Sequence, residues 1–393
     1  MNCFGRNVST GASIEVSFGA VIESVAPAPE TPPAWLAPGW IDLQVNGFAG
    51  VDYNTPSTPP EEIDRSLCAL FATGVTRLYP TVITGSPQLM EGALRNLARS
   101  REQLPNGDVI EGFHVEGPFI SPDDGPRGAH PRQWVRPPDL DEYRRWQDAA
   151  GGRVRMVTLA PEWPEASRFI EGIVSGGVVA AIGHTNANAS QIRDAVSAGA
   201  TISTHLGNGA HAVLPRHPNY IWDQLAEDRL MAGFIVDGVH LPVSFLKAAL
   251  RAKTLDRSIL VTDAATPSGA APGRYRFGEF EVELTPDNRV VLPESGKLAG
   301  SALRMDRGVE NLMRLADLQL ADAVRLATVN PARACAIGGR MNGLVSGDRA
   351  DLVEFRLEGG CLEVLRTWLG GREVWRAGEE GVRSQKTEVR IPR

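Results

Sequence analysis

Apolar and polar positions follow two regimes along the chain. Near both ends they alternate. Residues 13–25, SIEVSFGAVIESV, place apolar side chains at nearly every second position, and residues 351–378, DLVEFRLEGGCLEVLRTWLGGREVWRAG, do so in three runs separated by Gly359-Gly360 and Gly370-Gly371. A period of two predicts half-buried antiparallel strands, and paired glycines predict hairpins between them. After the first such region comes PAPETPPAWLAPG, residues 27–39, whose prolines predict a linker that continues neither sheet nor helix.

The middle of the chain reads differently. Short apolar runs at 40–45, 75–80, 109–115, 153–159, 178–182, 200–204, 231–236 and 258–262 are candidate strands. Helical periodicity at 61–73, 86–104, 189–198 and 244–253 falls between them, and 304–316 and 320–328 follow as two further helices. Eight strand–helix units predict an α/β fold, a (β/α)8 TIM barrel, with an open doubly wound sheet as the alternative; no GxGxxG loop supports the latter. The expected organisation is one small β domain made from 1–37 and 345–393, with a barrel over 38–344 inserted between its halves. Residues 274–292 predict a hairpin after the eighth strand, either shading the mouth of the barrel or forming only an edge.

One stretch, residues 178–208, carries the first chemical signal. It reads strand, His184, helix, strand, His205, so two imidazoles recur with the period of one βα unit. Neighbouring parallel strands lie about 4.8 Å apart, so histidines at the same end of both can share one metal ion; two unrelated structural histidines are the alternative. Glu116 stands in the equivalent place after the third strand, and with His184 and His205 it makes a set that suits Zn²⁺ with a position left for water. Asp263, at the end of the last strand, is either a base facing that ion or a turn aspartate. His114, two residues before Glu116, points to the same face and is read as barrel interior. His130 lies in a Gly/Pro-rich loop, able to reach a carbonyl oxygen or simply exposed. Arg216, His217 and His240 form either a local anion site or surface charge.

Composition narrows the partners. The 393 residues are 42% hydrophobic and 22% charged, with a net charge of −7, which argues against nucleic acid or an anionic membrane. No apolar run reaches the roughly 20 residues that span a bilayer, and the amino terminus lacks a signal-peptide core, so a cytoplasmic location is expected. Cys3, Cys68, Cys335 and Cys361 fit no metal spacing and are read as free thiols. Neither a GxSxG elbow nor a GxxxxGK phosphate loop occurs.

Taken in order, PGWIDLQVNG, HVEGPFI, RGAHP, IGHTNA, STHLGN, VDGVHLP, LVTDA, LAGSAL and ATVNPARA resemble the amidohydrolase superfamily, specifically the N-acetylglucosamine-6-phosphate deacetylase family. The resemblance implies a barrel with a small β sandwich, a homodimer, and hydrolysis of the acetamide of an amino-sugar phosphate. By position, it implies Glu116, His184 and His205 as metal ligands, Asp263 as acid/base and His130 as the histidine at the acetyl carbonyl. It places Asn208, Gly209, Arg216, His240 and the turn Leu298, Ala299, Gly300, Ser301 at the substrate, with Arg216 and His240 reaching a neighbouring subunit.

The chain departs from the family in two places. Gln44 and Asn46 stand where many amidohydrolases have His-x-His, so these are vestigial second-metal positions and one divalent ion is expected: zinc, with iron, cobalt or manganese as alternatives. Gly207-Asn208-Gly209-Ala210 replaces a run containing an aromatic residue and Met, and Arg216-His217-Pro218-Asn219 replaces Arg-x-Pro-Gly. Another acetamido sugar, unphosphorylated or epimeric, or a cyclic amide, is therefore the alternative substrate.

Overall fold

The computed structural model describes residues 1–29 and 32–378; the expected terminal β segment therefore extends, at 379–393, outside the described residues. Eight parallel strands form one sheet: Trp40–Val45, Val75–Ile83, Phe113–Glu116, Val154–Leu159, Val179–Ile182, Ile202–Ser203, Met231–Ile235 and Ser258–Val261, hydrogen-bonded in chain order. The sheet closes between the first and eighth strands. Asn46 N–H donates to Ala264 O at 2.8 Å, and the buried Asp42 carboxylate accepts from the Thr262 hydroxyl and from the Thr262 and Gln44 backbone N–H groups. Burial pushes the Asp42 carboxyl up to about 7, against the lowering effect of those three donors.

Helices cover the outside because their apolar stripes match the strand-facing side. Ile63, Leu67 and Leu70 of Pro60–Phe71 and Met90, Ala93, Leu94 and Leu97 of Pro87–Gln103 are buried at helical spacing. The helix Ala189–Ser197 starts at a capping box in which Asn188 accepts from Gln191 N–H and the Gln191 side chain accepts from Asn188 N–H. The third strand starts later than its apolar run predicts: 107–109 forms a 3₁₀ turn, Ile110 makes an isolated bridge to Leu78, and the continuous strand is Phe113–Glu116.

Both termini build a second sheet of seven strands. Its order is Arg372–Arg376, Cys361–Leu369, Leu352–Glu358, Trp35–Pro38, Asn2–Asn7, Ser13–Phe18, Ile22–Pro27. Phe18 and Trp368 sit on strands four places apart in that order, which in a flat sheet would separate them by about 19 Å. Their rings meet at 5.9 Å, so the sheet folds back on itself into two facing layers over Val16, Ile22, Leu36 and Leu352. The Pro-rich linker is a strand at Trp35–Pro38, contrary to expectation. Pro32 and Pro33 precede the pairing segment, Pro38 ends it opposite Leu352, and Leu36 and Ala37 supply the buried side chains. Among the described residues no helix is long and apolar enough to cross a membrane.

Candidate active site

Glu116 ends the third strand, His184 and His205 follow the fifth and sixth, and Asp263 follows the eighth. The barrel's closure brings all four, buried, to its carboxyl mouth. His184 Nε2 lies 3.1 Å from His205 Nε2, and Glu116 Oε1 lies 2.9 Å from His205 Nε2 and 3.3 Å from His184 Nε2. Three ligand atoms around one tetrahedral zinc, each about 2.0–2.1 Å from it, stand about 3.3–3.4 Å apart, so the triangle is one metal wide. His184 Nδ1 meets Pro126 O at 2.8 Å and must donate to it, which in the neutral ring leaves the Nε2 lone pair facing the carboxylate oxygen. A cation between them converts that repulsion into attraction, so the residues fit a divalent ion. His130 adds to the same point: Glu116, His130 and His184 form a looser group with ligand atoms within 4.8 Å, while its Nδ1 is engaged by Thr84 Oγ1 at 2.8 Å.

The backbone is forced into place at these positions. His184, His205 and Asp263 have φ of 49°, 26° and 50°, a region that costs a side-chain-bearing residue about 1–3 kcal/mol. Surrounding contacts over-determine it. Glu162 holds the segment after His184 by accepting from the Thr185 hydroxyl and from Asn186 N–H. Gly209, with φ 57°, lies so close that a Cβ there would stand 2.6 Å from His184 Nδ1. Gly209→Ala is expected to push the ring off the triangle and lower metal affinity by about 10–100-fold, the usual effect of disturbing a ligand's support; titration of apoprotein with metal measures it.

Gln44 and Asn46 act as donors. Gln44 Nε2 directs one hydrogen to Glu116 Oε1 at 3.0 Å and one to Asp263 Oδ1 at 3.1 Å, and Asn46 Nδ2 donates to Asp263 Oδ1 at 2.7 Å. These amide hydrogens occupy the ground between the two carboxylates. Burial pushes the Asp263 carboxyl up to about 6, helped by the Glu116 charge and opposed by His205 and the Asn46 donor. Burial also raises Glu116, but the hydrogen bonds that His184 and His205 donate when protonated, and their charge, outweigh it and hold that carboxyl well below its usual range. Burial lowers His130 to about 3, with His184 adding to the effect, so its ring is neutral. His114, lowered by burial to about 4, is interior as expected, bonded to Thr158 Oγ1 at 2.7 Å.

The centre opens into a cavity of about 300 Å³ lined by Asn208, Gly209, His240, Leu298, Ala299 and Gly300 among the expected substrate residues. Two expected residues are elsewhere. Arg216 is exposed, as is His217, and neither reaches the cavity of its own chain. Ser301 is buried behind it: Oγ donates to Thr262 O at 2.6 Å and N–H to Asp263 O at 2.8 Å, so Ser301 supports the Asp263 turn. Phe277 and Phe280 line the cavity from the hairpin Gly273–Phe277 and Phe280–Leu284, which answers the question of its role: it forms part of the mouth. No sequence pattern pointed to Ile83 or Ile235, whose apolar character suits interior and cavity wall alike, nor to His211.

The amidohydrolase family model matches residues 35–374. The chain is 33% identical over 321 residues to the N-acetylglucosamine-6-phosphate deacetylase of Bacillus subtilis (strain 168), covering 81% of this chain and 80% of that one. It is 31% identical over 357 residues to the N-acetylgalactosamine-6-phosphate deacetylase of Escherichia coli O157:H7, covering 90% and 92%. Among solved structures it is similar to a substituted N-acetyl-D-glucosamine-6-phosphate deacetylase of Mycobacterium smegmatis in complex with N-acetyl-D-glucosamine-6-phosphate: TM-score 0.83, 30% identity, 92% of this chain and 94% of that chain. A buried Glu-His-His triangle at the mouth of a closed (β/α)8 barrel, together with a match along nearly the whole described chain, places this protein in the amidohydrolase family, on the branch of the N-acetylglucosamine-6-phosphate deacetylases.

Proposed function

We propose that the chain hydrolyses the acetamide of an N-acetyl amino-sugar phosphate, releasing acetate and the free amine, with N-acetylglucosamine-6-phosphate as substrate. The observation that carries this is the meeting of Glu116, His184 and His205 within 3.3 Å of one another, with Asp263 held beside them by two amide donors. A single divalent ion held by Glu116, His184 and His205, zinc by the donor set, supplies Lewis acidity for the water and for the acetyl carbonyl. Asp263 takes the proton of the attacking water and returns it to the departing nitrogen, since an amide does not break with the nitrogen leaving as an anion. Neutral His130, its Nδ1 engaged by Thr84, has Nε2 left for the acetyl oxygen. Arg216, exposed on its own subunit, is assigned to a neighbouring copy's substrate phosphate in a cytoplasmic homodimer.

The proton must leave water, so Asp263 works ionised. Activity is expected to fall as pH drops through its pKa, at or below about 6, since a nearby cation only favours the charged form. Asn46→Ala removes a donor to the charged carboxylate, and the acid limb of kcat/KM is expected to move upward.

A second reading, an unphosphorylated acetamido sugar, is favoured by one observation: no lysine or arginine lines the cavity among the described residues. Assaying acetate release from N-acetylglucosamine-6-phosphate, its galacto epimer and free N-acetylglucosamine separates the readings, with Arg216→Ala as control. No acetate from any of them overturns the deacetylase reading. An equal effect of Arg216→Ala on phosphorylated and free sugar overturns its phosphate role.

A further inference from the structure

The loop after His205 brings a side chain to the cavity that the reaction above leaves without work. His211 lines the cavity, and its ring is fixed by Tyr220, a buried residue at the start of the helix Tyr220–Ala226. The phenol oxygen accepts the His211 backbone N–H at 2.8 Å and meets Nδ1 at 3.0 Å. When the neutral ring carries its hydrogen on Nε2, the phenol hydrogen goes to Nδ1. When the ring is protonated, the same oxygen accepts from Nδ1 through its remaining lone pair. In both of these arrangements Nε2 carries a hydrogen, and the contact with Tyr220 holds the ring in the same place. Gly125 makes room for this placement: with φ 104°, a Cβ there would stand 2.9 Å from His211 Cα and 3.1 Å from Cδ2.

Two other polar side chains beyond the metal triangle are partly engaged elsewhere. Asn208 Nδ2 donates to His205 O at 3.1 Å, and His240 Nδ1 is tied to Asp237 Oδ2 at 2.6 Å. The Asp237 charge offsets any positive charge on His240. With no lysine or arginine on the lining among the described residues, the Nε2–H of His211 is an oriented donor that Tyr220 holds in place.

Resting on the deacetylase reading, we propose that His211, oriented by Tyr220, is a specificity residue that donates Nε2–H to the phosphate of the substrate within the same subunit. Steady-state kinetics on N-acetylglucosamine-6-phosphate and free N-acetylglucosamine test it, with metal-loaded wild type, His211→Phe, His211→Gln and Tyr220→Phe. A hydrogen bond to a charged group predicts that His211→Phe raises KM for the phosphorylated sugar by about ten- to hundredfold. The loss is expected in KM far more than in kcat, and far less on the free sugar. His211→Gln, which keeps a donor, is expected to recover part of the loss, and Tyr220→Phe to show a smaller rise, again in KM on the phosphorylated sugar. Equal shifts on both sugars, a change in kcat alone, or no change overturn the assignment. Metal content and thermal midpoint report folding; if His211→Phe does not fold, the split between His211→Gln and Tyr220→Phe decides. Calorimetric binding of the phosphorylated sugar to wild type and His211→Phe keeps the two ideas apart. Absent acetate release sinks the deacetylase reading, whereas undiminished binding by His211→Phe sinks this one.

Discussion

Exchanging Asp263 for asparagine is expected to lower kcat/KM for acetate release by about 10²–10⁴-fold, the usual contribution of a positioned proton carrier. The substitution is nearly isosteric, and an amide oxygen can still accept from Gln44 and Asn46, whose donors lie 3.1 and 2.7 Å from Oδ1. Geometry is therefore kept while the ability to bind and release a proton is lost. Stability is expected to hold or to rise slightly, because burial and the Glu116 charge both disfavour a carboxylate here. Acetate release measured beside elemental analysis decides it: full activity in a metal-replete Asp263→Asn protein would remove Asp263 from the chemistry.

Glu116→Ala is expected to empty the metal site and abolish acetate release. Even disturbing a ligand's outer support costs about 10–100-fold in affinity, and this change removes an anionic ligand outright. It leaves two imidazole nitrogens 3.1 Å apart with no negative charge between them. Elemental analysis after purification without chelator is expected to find metal well below one equivalent per chain, because one ligand of the set is gone. Retention of a full equivalent would mean that His130, His184 and His205 hold the ion by themselves, and the role given to Glu116 would be wrong.

Several of these assignments were open to a reader of the sequence, for reasons of periodicity. Buried parallel strands have near-continuous apolar runs, so the barrel strands could be counted and their carboxyl ends located, with polar residues such as His184 and Asp263 standing immediately beyond them. Where local pattern is ambiguous the reading slipped. The run at 109–115 mixes a 3₁₀ turn with a strand, and the linker's Trp35–Pro38 pairs between two strands from opposite ends of the chain, which no local signal announces. Ser301 carries a residue type suited to a ligand, yet it supports a turn from behind. Residue type says what a group can do, while its direction depends on the path of the loop.

The sequence by itself determined the barrel class, through the strand–helix repeat, and the β domain drawn from both ends, through period-two alternation, and it set Glu116, His184 and His205 at equivalent strand ends as a candidate ion-binding set. Only the tertiary structure decided that Gln44 and Asn46 direct their amide hydrogens at the two carboxylates, that the hairpin's Phe277 and Phe280 wall the mouth, and that Tyr220 fixes His211. The physical reason is range. Periodicity records which face of an element is buried, but a hydrogen bond such as that between Gln44 and Asp263 joins groups 219 residues apart, and closing the barrel is what brings them within 3.1 Å.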